Sequence, residues 1–172
     1  METQEVSIKK IAYTYGIYLA LISIIVLVIM YVLNLEKSWT LSIISTVLSI
    51  LLLVYGIKTY KKENQNFISI KDAIKVGLAI AAIAGVISAI YTYIHYSYIY
   101  PEFIEIVREQ ALLEATDSNP NMDKETLETT VKMMNMFTSP FMMATFSLIG
   151  SLFFGFIISL ITGAVVKNER PE

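Results

Sequence analysis

The chain has no cysteine, a single histidine, four prolines and one tryptophan among 172 residues, and only 16% of it is charged. Without cysteine there can be no disulfide, thiolate metal site, cysteine nucleophile or cysteine-linked lipid. With His95 alone, neither a two-histidine metal site nor a histidine-bearing zinc-protease helix can be assembled within one chain. The sequence also lacks a G-x-S-x-G nucleophile elbow and a phosphate-binding G-x-x-x-x-G-K-[ST] loop. No catalytic residue, cofactor or metal is therefore expected. A net charge of −2 with no concentrated arginine patch gives nucleic-acid binding no support.

Charge is also absent from four long apolar runs, Ile11 to Leu35, Ser38 to Ile57, Val76 to Tyr100 and Met133 to Val166. A helix rising 1.5 Å per residue needs about 20 residues to cross a hydrocarbon core of about 30 Å, so each run suffices. The last is too long for one straight rod. Ser139-Pro140 marks its break, because Ser caps a helix start and Pro suits the first helical position, leaving 141–166 as the spanning piece. The first run follows Lys9 and Lys10 as a secretory signal would. It is read as a retained helix, because it exceeds a signal core and ends at Asn34-Leu35-Glu36 without a small-x-small cleavage site. At 55% hydrophobic content the expectation is an all-α integral membrane four-helix bundle forming a single domain over 1–172. The expected spans are 11–35, 38–57, 76–100 and 141–166, with an extramembrane helical hairpin over 101–139.

Basic residues set the expected orientation. Lys9, Lys10, Lys58, Lys61, Lys62, Lys71, Lys75, Lys167 and Arg170 must share one side, against Lys37, Arg108, Lys124 and Lys132 on the other. The positive-inside bias then puts both termini in the cytoplasm and the hairpin outside, in a multi-pass protein of the cell inner membrane. Eight carboxylates between Glu102 and Glu128 make the outer connection acidic. Tyrosines gather at both ends of the runs, Tyr91 to Tyr100 most densely, as an interfacial belt requires.

The strongest pattern is a small residue at every fourth position. Ala73, Gly77, Ala81, Gly85 and Ala89 make one groove in the third helix, and Ser147, Ser151, Gly155, Ser159 and Gly163 make another in the fourth. Missing side-chain bulk lets two backbones approach closely enough for dispersion contacts that lipid cannot match. The third and fourth helices are expected to pair antiparallel, Gly77 level with Gly163, Gly85 near Gly155 and Ala89 near Ser151; the other use of such a groove is a homo-oligomer face. A thinner stripe, Ser38, Ser42, Ser45 and Ser49, reads as packing, or as the wall of a polar conduit.

In the acidic connection, Phe103, Ile106, Val107, Ala111 and Leu112 lie to one side of a first amphipathic helix and Glu102, Glu105 and Glu109 to another. Leu127, Val131 and Met134 make the apolar seam of a second, the candidate contact for a membrane-protein partner. The hairpin could rest on the bilayer, cap the bundle or present this seam to another protein. His95 could join Tyr91, Tyr98 and Glu102 on one face only if the helix ran through Pro101.

Four spans in this order, the Gly77-x-x-x-Ala81-x-x-x-Gly85 helix, the Tyr-dense exit ending Tyr100-Pro101-Glu102-Phe103, and the acidic hairpin before a Gly/Ser/Phe-rich last helix together resemble an uncharacterised bacterial four-helix inner-membrane family, a domain of unknown function. The resemblance covers about residues 9–167 and implies the fold without any activity. The expected role is a non-enzymatic, membrane-embedded interaction or assembly component, with the lipid bilayer as its constant partner. The other readings are a small oligomeric transport or lipid-binding protein, and a membrane enzyme using His95 and Glu102.

Overall fold

A computed structural model describes residues 7–35 and 38–169. Glu36, Lys37 and Arg170, which entered the reading of the first run and of charge, lie outside the described residues. Among the described residues the backbone forms six α-helices: α1 Ile8–Val32, α2 Trp39–Glu63, α3 Ile70–Ile94, α4 Glu102–Ser118, α5 Lys124–Phe137 and α6 Pro140–Val166. A π-helical turn, His95–Ile99, follows α3. There is no β-strand among them, only an isolated antiparallel bridge between Ile68 and Asn168. Helices α1, α2, α6 and α3 with its π-turn are each long and apolar enough to cross a bilayer.

The helix starts follow from local chemistry. Ser38 accepts from the Leu41 amide at the head of α2, and Asp123 from the Thr126 amide at the head of α5. Ser69 and Asp72 form a reciprocal cap on α3, the Ser69 hydroxyl donating to Asp72 and the Asp72 amide donating back at 3.1 Å. Ser139 accepts from the Met142 amide with Pro140 in the first helical position, so the break inferred within the fourth run is real. Helix α2 outruns its apolar segment, continuing through Lys61 and Lys62 to Glu63, and α3 begins before its own at Ile70. Uncharged sequence sets the minimum span; caps and turns set the helix ends. After α2, Gln65 and Asn66 both adopt positive φ, which reverses the chain within a few residues.

The chain divides into two compact units, Met1–Ser88 with Leu148–Glu172, and Ala89–Ser147. In the first, α3 is the central element: Gly16 of α1 meets Ile83, Gly56 of α2 meets Ile80, and Gly77 meets Ile57 of α2 and Ser159 of α6. The core is Ile11, Ala12, Leu53, Ile57, Val76, Ile80 and their neighbours. It occupies one end only. Buried residues of α1 stop at Ala20, and those of α2 begin at Leu53. The remaining halves of these helices display Leu21, Ile25, Ile43, Ile44, Val47, Leu48 and Leu51 on the surface. Such a continuous apolar surface is far outside what a protein presents to water.

In the second unit α4 and α5 contact one another. Arg108 ties the early part of α4 to the end of α5, donating through Nε to the Thr138 hydroxyl at 2.9 Å and through its terminal nitrogen to the Asn135 carbonyl.

Candidate functional site

The patterned small residues come together where α3 and α6 run side by side. A Cβ placed on Gly77 would overlap the Ser159 side chain, and one on Gly155 would overlap Ala81 Cβ. One on Gly85 would lie 3.0 Å from Ser151 Cβ, and one on Gly163 would lie 2.9 Å from Ala73 Cβ. Contacts this close mean backbone against side chain with nothing between, the arrangement that small residues at fourth positions permit. Gly77, Ala81, Gly85, Gly155, Ser159 and Gly163 are buried, while Ser151, Ala89 and Ser147 are half-buried. Ser151 adds a direct interhelical hydrogen bond, its hydroxyl donating to the Ala81 carbonyl at 2.9 Å. The buried Ser159 hydroxyl donates within its own helix to the Gly155 carbonyl.

The pair is antiparallel, as expected, but its register differs by one helical turn. Gly77 faces Ser159 rather than Gly163, Gly85 faces Ser151 rather than Gly155, and Ala81 faces Gly155. The reason is steric. In the expected register two glycines would oppose each other at Gly77/Gly163 and again at Gly85/Gly155, leaving voids, while Ala81 would meet Ser159. In the observed register every glycine receives a Ser or Ala from the other helix, so knobs and holes alternate.

At the lysine-bearing end, the termini of α2, α3 and α6 are laced together. The Ile68 and Asn168 amides donate to each other's carbonyls, both at 2.9 Å. Asn168 Nδ2 donates to the Asn66 carbonyl, and Lys61 Nζ donates to the Val166 carbonyl at the end of α6, where a cation also complements the helix dipole. An open pocket of about 160 Å³ lies here, lined by Asn64, Phe67, Ser69, Asp72, Asn168 and Glu169 among others. Of its two acidic side chains, Asp72 is engaged with Ser69 and, at 3.6 Å, with Lys75. Among the described residues no three His, Cys, Asp or Glu side chains are placed to hold a metal ion.

His95 opens the π-turn, and only 1% of it is exposed. Three tyrosine rings wall it, Tyr91, Tyr96 and Tyr100, with centroids 5.6, 5.1 and 6.5 Å from the imidazole, and Phe103 stacks on Tyr96 at 4.9 Å. The Tyr100 amide reaches back to the His95 carbonyl at 2.7 Å, and Pro101 then ends the run. The face that would join His95 to Tyr98 and Glu102 does not form: Tyr98 is 75% exposed, and Glu102 is exposed at the start of α4.

The serine stripe of α2 divides. Ser42 is exposed and donates to the Ser38 carbonyl, Thr46 donates to the Ser42 carbonyl, and Ser45 and Ser49 are half-buried. These two hydroxyl bonds stay within the helix, as those of serine and threonine in apolar helices often do. On α5 the seam Leu127, Val131 and Met134 is half-buried in a helix that contacts α4. Met133, Met136 and Phe137 form a second apolar face, about half exposed, that the seam reading missed. Its signal was visible as methionine crowding, for six of the chain's eight methionines fall between Met122 and Met143.

No curated protein and no solved structure matches the chain. A family described as Protein of unknown function (DUF4199) matches residues 14–168, nearly the whole length. With its four bilayer-length helices and its close-packed α3/α6 pair, the chain belongs to that family.

Proposed function

We propose that the protein is a multi-pass bacterial inner-membrane protein that acts as a non-enzymatic interaction or assembly component. The observation that carries this reading is the distribution of surface. Helices α1, α2 and α6 display apolar side chains that only hydrocarbon would solvate, and the polar, acidic part of the chain is concentrated in α4 and α5. The lysine-rich ends lie in the cytoplasm with both termini, and the α4–α5 hairpin lies outside.

The hairpin is the contact element. Its water-facing surface carries Glu102, Glu105, Glu109, Glu125 and Glu128, all exposed, so the complementary partner surface is basic. His95 is too enclosed to meet a substrate in this conformation, which favours a binding role over the enzyme reading. Ser42 and Thr46, both exposed, satisfy their hydroxyls on carbonyls of their own helix, so they need no water-filled conduit beside them.

Mild solubilisation followed by mass measurement tests the role. An assembly component emerges with other chains attached, and the charge reversals Glu105→Lys and Glu109→Lys release them while leaving the helices intact. A lone chain carrying lipid only, unchanged by these substitutions, would contradict it.

A further inference from the structure

We infer that α5 lies in the outer membrane interface, with Met133, Met136 and Phe137 seated on acyl chains and Glu125 and Glu128 turned to water. This placement rests on reading the four long helices as spans. Helix α5 has no fully buried residue, yet its apolar arc extends well beyond the seam. At 100° per residue, Leu127, Val131 and Met134 fall on one half of that arc and Met133, Met136 and Phe137 on the other, with Lys124, Glu125, Glu128 and Lys132 together on the remaining side. The seam half is partly covered. The Met/Phe half is exposed: Met133 50%, Met136 53% and Phe137 46%.

The occupant of that face follows from its depth. Phe137, the last residue of α5, stacks on Phe146, ring centroids 6.1 Å apart and planes 22° apart. Phe146 lies six residues into α6, about 9 Å along its axis. The end of α5 is therefore beside the second turn of α6 rather than above its first residue. Phe141, between those levels, is 68% exposed and apolar. If α6 enters the membrane near Pro140, the last turn of α5 is already at hydrocarbon depth. Only Thr138 and Ser139 separate the two helices, too few residues to lift α5 away.

The chemistry agrees. Lys124 and Lys132 nearly balance Asp123, Glu125 and Glu128, so attachment comes from apolar burial and does not need anionic headgroups. Methionine, unbranched and flexible, suits a disordered acyl surface better than β-branched residues would.

The absence of native cysteine allows a direct test. Single nitroxides are attached at Met133→Cys, Met136→Cys, Glu128→Cys and the mid-span Phe154→Cys, in the full chain reconstituted into phosphatidylcholine vesicles. Collision with oxygen, which concentrates in lipid, is compared with collision with a water-soluble nickel chelate. Positions 133, 136 and 154 should favour oxygen several-fold, and position 128 should favour nickel. Nickel access at 133 and 136 with oxygen access at 154 would overturn the placement alone. Shielding of 133 and 136 from both reagents would also overturn it, by indicating a protein contact. Nickel access at 154 would remove the spanning reading itself.

Discussion

The Ser159 side chain occupies the space that a Cβ on Gly77 would need. This contact, one turn in from the Ala73/Gly163 end of the α3/α6 pair, fixes which turn of one helix faces which turn of the other.

Gly77→Ala should therefore destabilise the fold by about 1–3 kcal/mol through overpacking. Exchanging knob and hole in the double variant Gly77→Ala/Ser159→Gly should restore much of that loss. Gly150, whose added Cβ meets nothing within 4 Å, is the control, and Gly150→Ala should be neutral or slightly stabilising. Equilibrium unfolding in detergent compares the four proteins; equal losses for Gly77→Ala and Gly150→Ala would show that this register does not hold.

Lys61→Met removes the cation that caps the end of α6 through the Val166 carbonyl. A loss of about 1 kcal/mol is expected from the lost charge-assisted bond and dipole interaction. Amide exchange at Ile68 and Asn168, which bond reciprocally beside it, should quicken. Unaltered exchange there would mean the lacing does not act as a unit.

His95→Ala should cost about 3 kcal/mol, because the tyrosine walls leave nothing to refill the space. His95→Phe should cost less, and Tyr98→Ser should be close to neutral in detergent, since Tyr98 stands outside the cluster. Thermal melts of the three variants rank them; a neutral His95→Ala would show the cluster to be loose.

The cap of α5 should respond to acid. The Thr126 amide, bonded to Asp123, holds its carboxyl below the usual carboxylate value. A depressed folded-state value means that the cap's contribution is complete above the unfolded-state value and is lost as pH falls through the folded one. The ratio of Thr126 amide exchange in an Asp123→Asn protein to that in the parent, in which the intrinsic pH dependence cancels, should therefore exceed one near neutrality and fall toward one at the acid end. A ratio that does not change with pH would contradict this.

Several of these features could be read from residues alone. The four long helices, the break at Ser139-Pro140 and the antiparallel α3/α6 pair follow from uncharged length, capping chemistry and period-four small residues. The register does not, because a period-four pattern superimposes on itself after one turn. Only the alternation of Gly against Ser or Ala selects between the two, and that requires both helices at once. The π-turn was hidden for a different reason: five residues of i−5 bonding, closed by the Tyr100 amide on the His95 carbonyl, leave no periodic trace, although Pro101 signalled that the helix could not continue. The second apolar face of α5 was masked by the better-spaced seam Leu127, Val131 and Met134.

The proposed role requires helices that cross a membrane with their lysine-bearing ends inside the cell. Single thiols at Glu63→Cys and Ser118→Cys, both exposed positions, test it in intact cells with a membrane-impermeant maleimide. Position 118 should react at once, and position 63 only after the membrane is opened. Reaction of both from the same side, or recovery of the protein in water without amphiphile, would contradict the account.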